Sequence, residues 1–399
     1  MTQAGLESAA RPAQQPTRFP CFDGLRAVAA FAVLVTHVAF ITGAEFRSDL
    51  GMFAARLDVG VAVFFVISGF LLYRPFVAAR LAGNLPPRVA AYFWRRALRI
   101  FPAYWLALTI TVFVLNVPER VPDTKRLFLF YGLFHQYSVG DFVGPILSSY
   151  TLVTELAFYV FLPVYAFVVG SRLGPRIRTE LVALATLFGF GIAYRLAVGL
   201  ADPAPQRDAQ LQNIFPGWID VFAAGMALAV LSAWIEHRRL APPGGLARPW
   251  APAAAWTLAA LAFVAVSLVI GKPVPGADYS MTDEFAIHYL YLAVGVFLLL
   301  PAIFGPQGQG LIRRLLRNRA VQWLGLVSYG LYLWNETMIE KYLDWTDSTA
   351  FNTSFLPMLI GVTVLTAAIS AASYYVLERP VLSLKKRVPA RRSAAVSPT

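Results

Sequence analysis

One cysteine, Cys21, is all that the 399 residues contain. That excludes a disulfide framework and any zinc site built from several thiolates. Charge is scarce too: Asp, Glu, Lys and Arg make up 14% of the chain, against about 25% in a soluble domain. Apolar residues reach 58%, with 30 phenylalanines, 17 tyrosines and nine tryptophans, and the mean hydropathy is +0.59. A water-facing surface cannot carry that composition without large sticky patches, so a soluble enzyme is excluded. Nor is there an internal repeat, or a pair of spans interrupted at matched positions, which argues against a transporter built from inverted repeats. The chain reads as an all-α polytopic membrane protein.

A membrane span takes about 20 mostly apolar residues. Ten stretches qualify, near 25–43, 58–79, 100–117, 149–169, 180–199, 214–235, 250–270, 284–304, 321–340 and 355–377, the third being the shortest. Leu127 to Phe134 is too short to cross and reads as an interfacial or re-entrant helix. Residues 1–18, polar and rich in Ala, Gln and Pro, are expected to be disordered; 19–379 form the membrane domain and 380–399 a basic tail. No cleavable signal peptide is expected, because Arg26 and His37 interrupt the first apolar run.

The net charge of +12 could suit nucleic acid, but its placement says otherwise. With the N-terminus inside, the ten spans put 23 Lys and Arg in inside segments and 8 in outside loops. This is the positive-inside pattern. It predicts about ten transmembrane helices in one bundle, both termini cytoplasmic, in the inner (plasma) membrane, with lipid and not nucleic acid around it.

Four runs hold ionisable or small residues where a span should be apolar, and such residues are functional by default. In FDGLRAVAAFAVLVTH, Arg26 and His37 are eleven residues apart, so they share one helix face with roughly 16 Å between them. The guanidinium at the inner edge suits a phosphate and the deeper imidazole suits proton transfer; simple snorkelling and one interhelical hydrogen bond are the alternative. Glu155, in TLVTELAFYVFLP, sits about six residues below the outer edge, as His37 does, so the two are expected at one depth, where one could orient the other. Tyr159 shares its face, and a purely structural carboxylate is the alternative there. Arg95, Arg96 and Arg99 precede the third span in FWRRALRIFPAYW, and Arg95 with Arg99 makes a two-pronged anion site, unless these charges only orient the helix. In the second span, Ser68-Gly69 admits a close approach by another backbone or by a thin ligand.

Together with FFVISGFLL and VSYGLYLW, these runs resemble the acyltransferase-3 family of bacterial integral-membrane acyltransferases, in the family's order from about residue 19 to 335. The resemblance implies a membrane-embedded O-acyltransferase. It takes an acyl group from cytoplasmic acyl-CoA, acetyl-CoA being the expected form. It passes that group to a hydroxyl of a carbohydrate, a cell-envelope glycan or glycolipid, or a secondary metabolite. No bound cofactor and no metal are expected. His37 matches the family's essential histidine, Arg26 and the Arg95/Arg96/Arg99 run its donor-facing arginines, and Glu155 its glutamate. Ser68-Gly69 is expected beside the donor arm. Tyr150 stands where a Trp is common and Asn335 where many members have His, so no proton transfer is assigned to Asn335. No appended extracytoplasmic hydrolase-like domain is expected, and direct acylation of the acceptor follows. The competing readings are a lipid or small-molecule transporter or flippase without acyl transfer, and an N-acyltransferase.

Overall fold

The computed structural model describes residues 19–388 except 48, 116–122, 139–143, 174–176, 241–245, 247, 272, 274–278 and 306. Residues 1–18 and the tail beyond 388, for which disorder and a basic tail are expected, lie outside the described residues. Ten long helices carry the fold: α1 Phe22–Thr42, α2 Gly60–Leu81, α3 Val89–Thr109, α4 Ser149–Leu173, α5 Ile177–Ala201, α6 Phe215–Arg238, α7 Ala251–Ile270, α8 Met281–Ile303, α9 Ser328–Trp345 and α10 Phe355–Ser373. No strand occurs among the described residues. In lipid every backbone N–H and C=O must be satisfied within the segment, which leaves helices as the way to cross. Among the described residues, nine segments are long and apolar enough to do so. The protein is an all-α multi-pass membrane protein.

The ninth expected span departs from hydropathy. The stretch 321–340 is not one helix; it breaks at Val327 (φ −95°, ψ 5°) into a short helix, Arg319–Leu326, and α9. α9 carries Glu336, Glu340, Lys341 and Asp344, and its residues Gly330 to Ile339 are buried in the bundle. The third span also differs. It begins at Val89, not near 100, and runs on through a π-helical turn, Ile110–Val114, so the span expected to be shortest is 26 residues long. The interfacial segment forms a helix at Thr124–Tyr131, started by the Asp123 side chain, which accepts the Arg126 N–H at 2.8 Å. α10 continues through a π-helical turn, Tyr374–Glu378, into Arg379–Ser383 and Leu384–Arg387. There the Trp94 indole donates to the Leu384 carbonyl at 3.1 Å. The first residues of the expected tail therefore pack on α3.

Burial sorts the helices. α1, α2 and α6 are central, with 61–67% of their most apolar stretches buried, whereas α5, α7 and α10 face outward at 22%. α2 and α6 meet through small residues, as membrane helices do. A Cβ added at Gly69 would lie 2.4 Å from the Phe222 carbonyl oxygen, and one at Gly225 2.3 Å from that of Val66. Phe222 stacks between Phe65 (4.6 Å) and Phe158 (4.1 Å), which ties α4 to the same crossing. Gly69 thus serves helix packing.

A side chain at Gly225 has to push two backbones apart, an overpacking penalty of about 2 kcal/mol or more. Gly225→Val should lower the thermal midpoint in detergent, read by labelling of Cys21 on heating. Cys21 is fully buried, and burial pushes its thiol pKa up, so it labels on unfolding. An unchanged midpoint would contradict the tight crossing.

Candidate functional site

A cavity of about 190 Å³ lies between α1, α2, α3, α4 and α9. Its arginine-rich end, inner by the positive-inside pattern, is made by Arg26, Arg96 and Arg99; Ser68, Glu155 and Tyr159 line its middle. Val61, Phe64, Thr151 and Tyr332 line its other end. The break at Val327 lets Ser328 and Tyr329 into the wall; irregular backbone at membrane depth is tolerated where it lines a cavity. A larger groove of about 390 Å³ opens between α1, α2, α7 and α8, but its wall is aliphatic and aromatic and offers no acid, base or charge.

The three arginines are held by sparse partners. Arg26 Nη1 lies 3.3 Å from the Asp23 carboxylate, one turn before it on α1. Arg96 rests over the Tyr159 ring at 5.7 Å and Arg99 over the Tyr329 ring at 5.9 Å. Tyr329 is fixed in turn, its hydroxyl donating to the Ile100 carbonyl at 2.9 Å. No carboxylate lies within salt-bridge distance of Arg96 or Arg99 among the described residues. Glu378, in the π-helical turn, is buried near Arg99. Three guanidinium groups thus converge on one cavity with little counter-charge, an arrangement whose chemistry suits an anion.

Glu155 accepts hydrogen bonds from Ser68 Oγ and Tyr159 Oη, both at 2.6 Å. It does not meet His37. The expectation that both lie at one depth counts residues from helix ends, and the ends are not level. Ser148, just before α4, donates its N–H at 3.1 Å to Glu336, which faces His37. Glu155 therefore lies seven residues, roughly 10 Å, further toward the arginines.

His37 has other partners. Its Nδ1 is 2.6 Å from Asn335 Oδ1 and 3.4 Å from Glu336 Oε1. The Asn335 amide nitrogen donates to the carbonyls of Tyr332 (2.7 Å) and Leu331 (3.2 Å), which fixes its oxygen toward the imidazole. Nδ1 then carries the proton and donates it to Asn335, leaving the Nε2 lone pair free. His37 is not in the cavity wall, but Tyr332 is, one turn of α9 before Asn335 and Glu336. The Tyr332 hydroxyl also pairs with Thr151 at 2.7 Å. Glu336 was missed by sequence reasoning although it is an ionisable residue in an apolar helix, the signal that picked out Glu155.

Two other expected site residues go elsewhere. Gly69 is spent on the α2–α6 crossing. Arg95 is not in the cavity wall, because 100° of helix rotation separates it from Arg96; it lines an adjoining groove with Arg88, Tyr92 and Arg96. Of the expected arginines, Arg26, Arg96 and Arg99 line the cavity and Arg95 does not.

A family model described as an acyltransferase domain matches residues 19–375. The chain belongs to the acyltransferase-3 family. Among similar proteins, the exopolysaccharide production protein ExoZ of Rhizobium meliloti is 28% identical, over 84% of this chain and 92% of its own length. Nodulation protein 10 of Rhizobium leguminosarum is 25% identical, over 93% and 95% respectively. The peptidoglycan O-acetyltransferase OatA of Listeria monocytogenes is 23% identical over 80% of this chain, which spans about half (49%) of that relative's length. No solved structure matches.

With four histidines in the chain, nitrogen-15 histidine labelling resolves them individually. His37 should appear as the Nδ1–H tautomer in the wild type and as a tautomer mixture in Asn335→Leu. An Nε2–H tautomer in the wild type would overturn the Asn335 geometry.

Proposed function

We infer that this acyltransferase resides in the plasma membrane and moves a short acyl group from cytoplasmic acyl-CoA to a hydroxyl of a carbohydrate, cell-envelope glycan or glycolipid. The observation that carries the reading is the cavity itself: a triple-arginine anion site at one end, and an imidazole with an amide and a carboxylate on its Nδ1 side one turn beyond the other. The printed names of the relatives, an exopolysaccharide production protein and a peptidoglycan O-acetyltransferase, support a glycan hydroxyl as acceptor.

In this reading Arg26, Arg96 and Arg99 bind donor phosphates, and the thioester arm runs past Ser68, Glu155 and Tyr159. The thioester carbonyl comes to rest by Thr151 and Tyr332. Arg26 and His37 stand eleven residues, roughly 16 Å, apart along α1, a span that an extended pantetheine covers. The acceptor hydroxyl gives its proton to His37 Nε2 as its oxygen bonds to the carbonyl carbon. The carbon–sulfur bond then breaks, and the thiolate takes the proton from the imidazolium. Asn335 keeps the imidazole in the useful tautomer, and Glu336 at 3.4 Å balances its positive charge once protonated. Glu155, bonded to Ser68 and Tyr159, shapes the channel and holds the arm.

Purified protein in sealed proteoliposomes tests this with radiolabelled acetyl-CoA and a soluble glycan acceptor. His37→Ala should lose about 10²–10⁴-fold in turnover, and Glu336→Gln should lower kcat with KM nearly constant. Wild-type turnover in His37→Ala would refute the mechanism. Acetyl-CoA confined to the outer face should give no product; product there would refute the two-sided arrangement.

A further inference from the structure

The cavity does not end at its arginines. A second depression of about 130 Å³ lies beside it, lined by Leu71, Leu72, Pro75 and Phe76 of α2 and by Arg88, Tyr92, Arg95 and Arg96 at the start of α3. Leu71, Leu72 and Arg96 belong to both walls. The groove and the cavity are therefore two compartments of one path, with Arg96 between them. Arg88, directly before α3, is exposed, and the Nε of Arg95 is buried without a hydrogen-bond partner. No carboxylate pairs with either arginine among the described residues. A rigid apolar floor is present as well, where Tyr92 packs edge-on against Phe76 at 5.9 Å.

We propose that this groove is a second anion site, which takes the ribose 3′-phosphate of a nucleotide thioester while Arg26, Arg96 and Arg99 take its diphosphate. The inference rests on the acyl-CoA reading above and deepens it. Arg95 and Arg99 are one helical turn apart, about 6 Å, the scale of a single ribose carrying phosphates on both its 3′ and 5′ sides. Nothing in the transfer chemistry needs the 3′-phosphate. A protein that binds it does so to select the donor, so the groove discriminates coenzyme A thioesters from acetyl phosphate, acetyl-pantetheine and other smaller acyl donors. Arg96, shared by both compartments, lies where the diphosphate has to pass from one to the other.

The test compares acetyl-CoA with acetyl-3′-dephospho-CoA on the full-length protein in proteoliposomes, with KM and kcat measured for each. The wild type should show a KM about tenfold lower for acetyl-CoA, the worth of one charge-assisted contact. Arg95→Ala should abolish that preference by raising KM for acetyl-CoA about tenfold more than KM for the dephospho donor. Arg88→Ala should do the same more weakly, and Arg95→Lys should restore part of the preference. Adenosine 3′,5′-bisphosphate should compete better than ADP with the wild type, and equally with ADP in Arg95→Ala. Transfer from both donors at equal KM in the wild type overturns this site alone. So does an equal loss for both donors in Arg95→Ala, the signature of a merely structural arginine. Transfer from neither donor would sink the acyl-CoA reading, and the groove's role with it.

Discussion

Gly325 and the carbonyl of Asp23 approach so closely that a Cβ at position 325 would sit 1.9 Å from that oxygen. The contact pins the short helix Arg319–Leu326 to the first turn of α1, three residues before Arg26. Because that helix is held there, it cannot continue in line with α9, and the chain turns at Val327 before α9 begins. The turn brings Tyr329 beneath Arg99 and sends Tyr332, Asn335 and Glu336 along the inner face of α9 toward His37. Both ends of the cavity hang on one backbone contact that only a glycine permits.

The electrostatics follow from where the arginines are allowed to be. A guanidinium at membrane depth is expensive unless it faces a polar interior. Arg26, Arg96 and Arg99 obtain this by converging on the cavity, on tyrosine faces and on two acids, Asp23 and Glu378, instead of pairing off one to one. Elsewhere buried charges are satisfied within the protein: Arg80 by Glu180, Asp220 by His288 at 2.9 Å, and Arg195 and Arg313 by carbonyl oxygens. Among the described residues, the cavity arginines have fewer such partners, as the proposed anion-binding role requires.

Much of this was legible in the sequence, for physical reasons that also mark where legibility ends. Transfer of apolar side chains into lipid is a property of composition, so hydropathy locates most spans within a few residues. It misplaces the start of α3, because averaging over Arg95, Arg96 and Arg99 hides a helix whose charges point into protein. It misses the break at Val327, which no proline marks and which arises from the tertiary contact at Gly325. Helical periodicity places Arg26 and His37 on one element, α1, although Arg26 lines the cavity and His37 does not. Relating Glu155 to His37 needs the relative heights of two helices, which periodicity does not contain; α4 starts level with His37, so its glutamate falls a turn and a half to two turns too deep. Arg95 fails for a similar reason. A helix face is known from sequence, but which neighbour stands opposite that face is not.

The far end of the cavity is bounded by Tyr332, whose ring meets Phe64 edge-on at 5.8 Å and whose hydroxyl pairs with Thr151. A polar, arginine-lined chamber of this size has room for water, so its arginines are solvated from one side although they lie at membrane depth. His37 faces α9 one turn beyond Tyr332 and keeps 23% of its side chain accessible. One aromatic ring and one hydroxyl pair thus divide the arginine chamber from the imidazole, and any molecule that reaches both has to pass that ring.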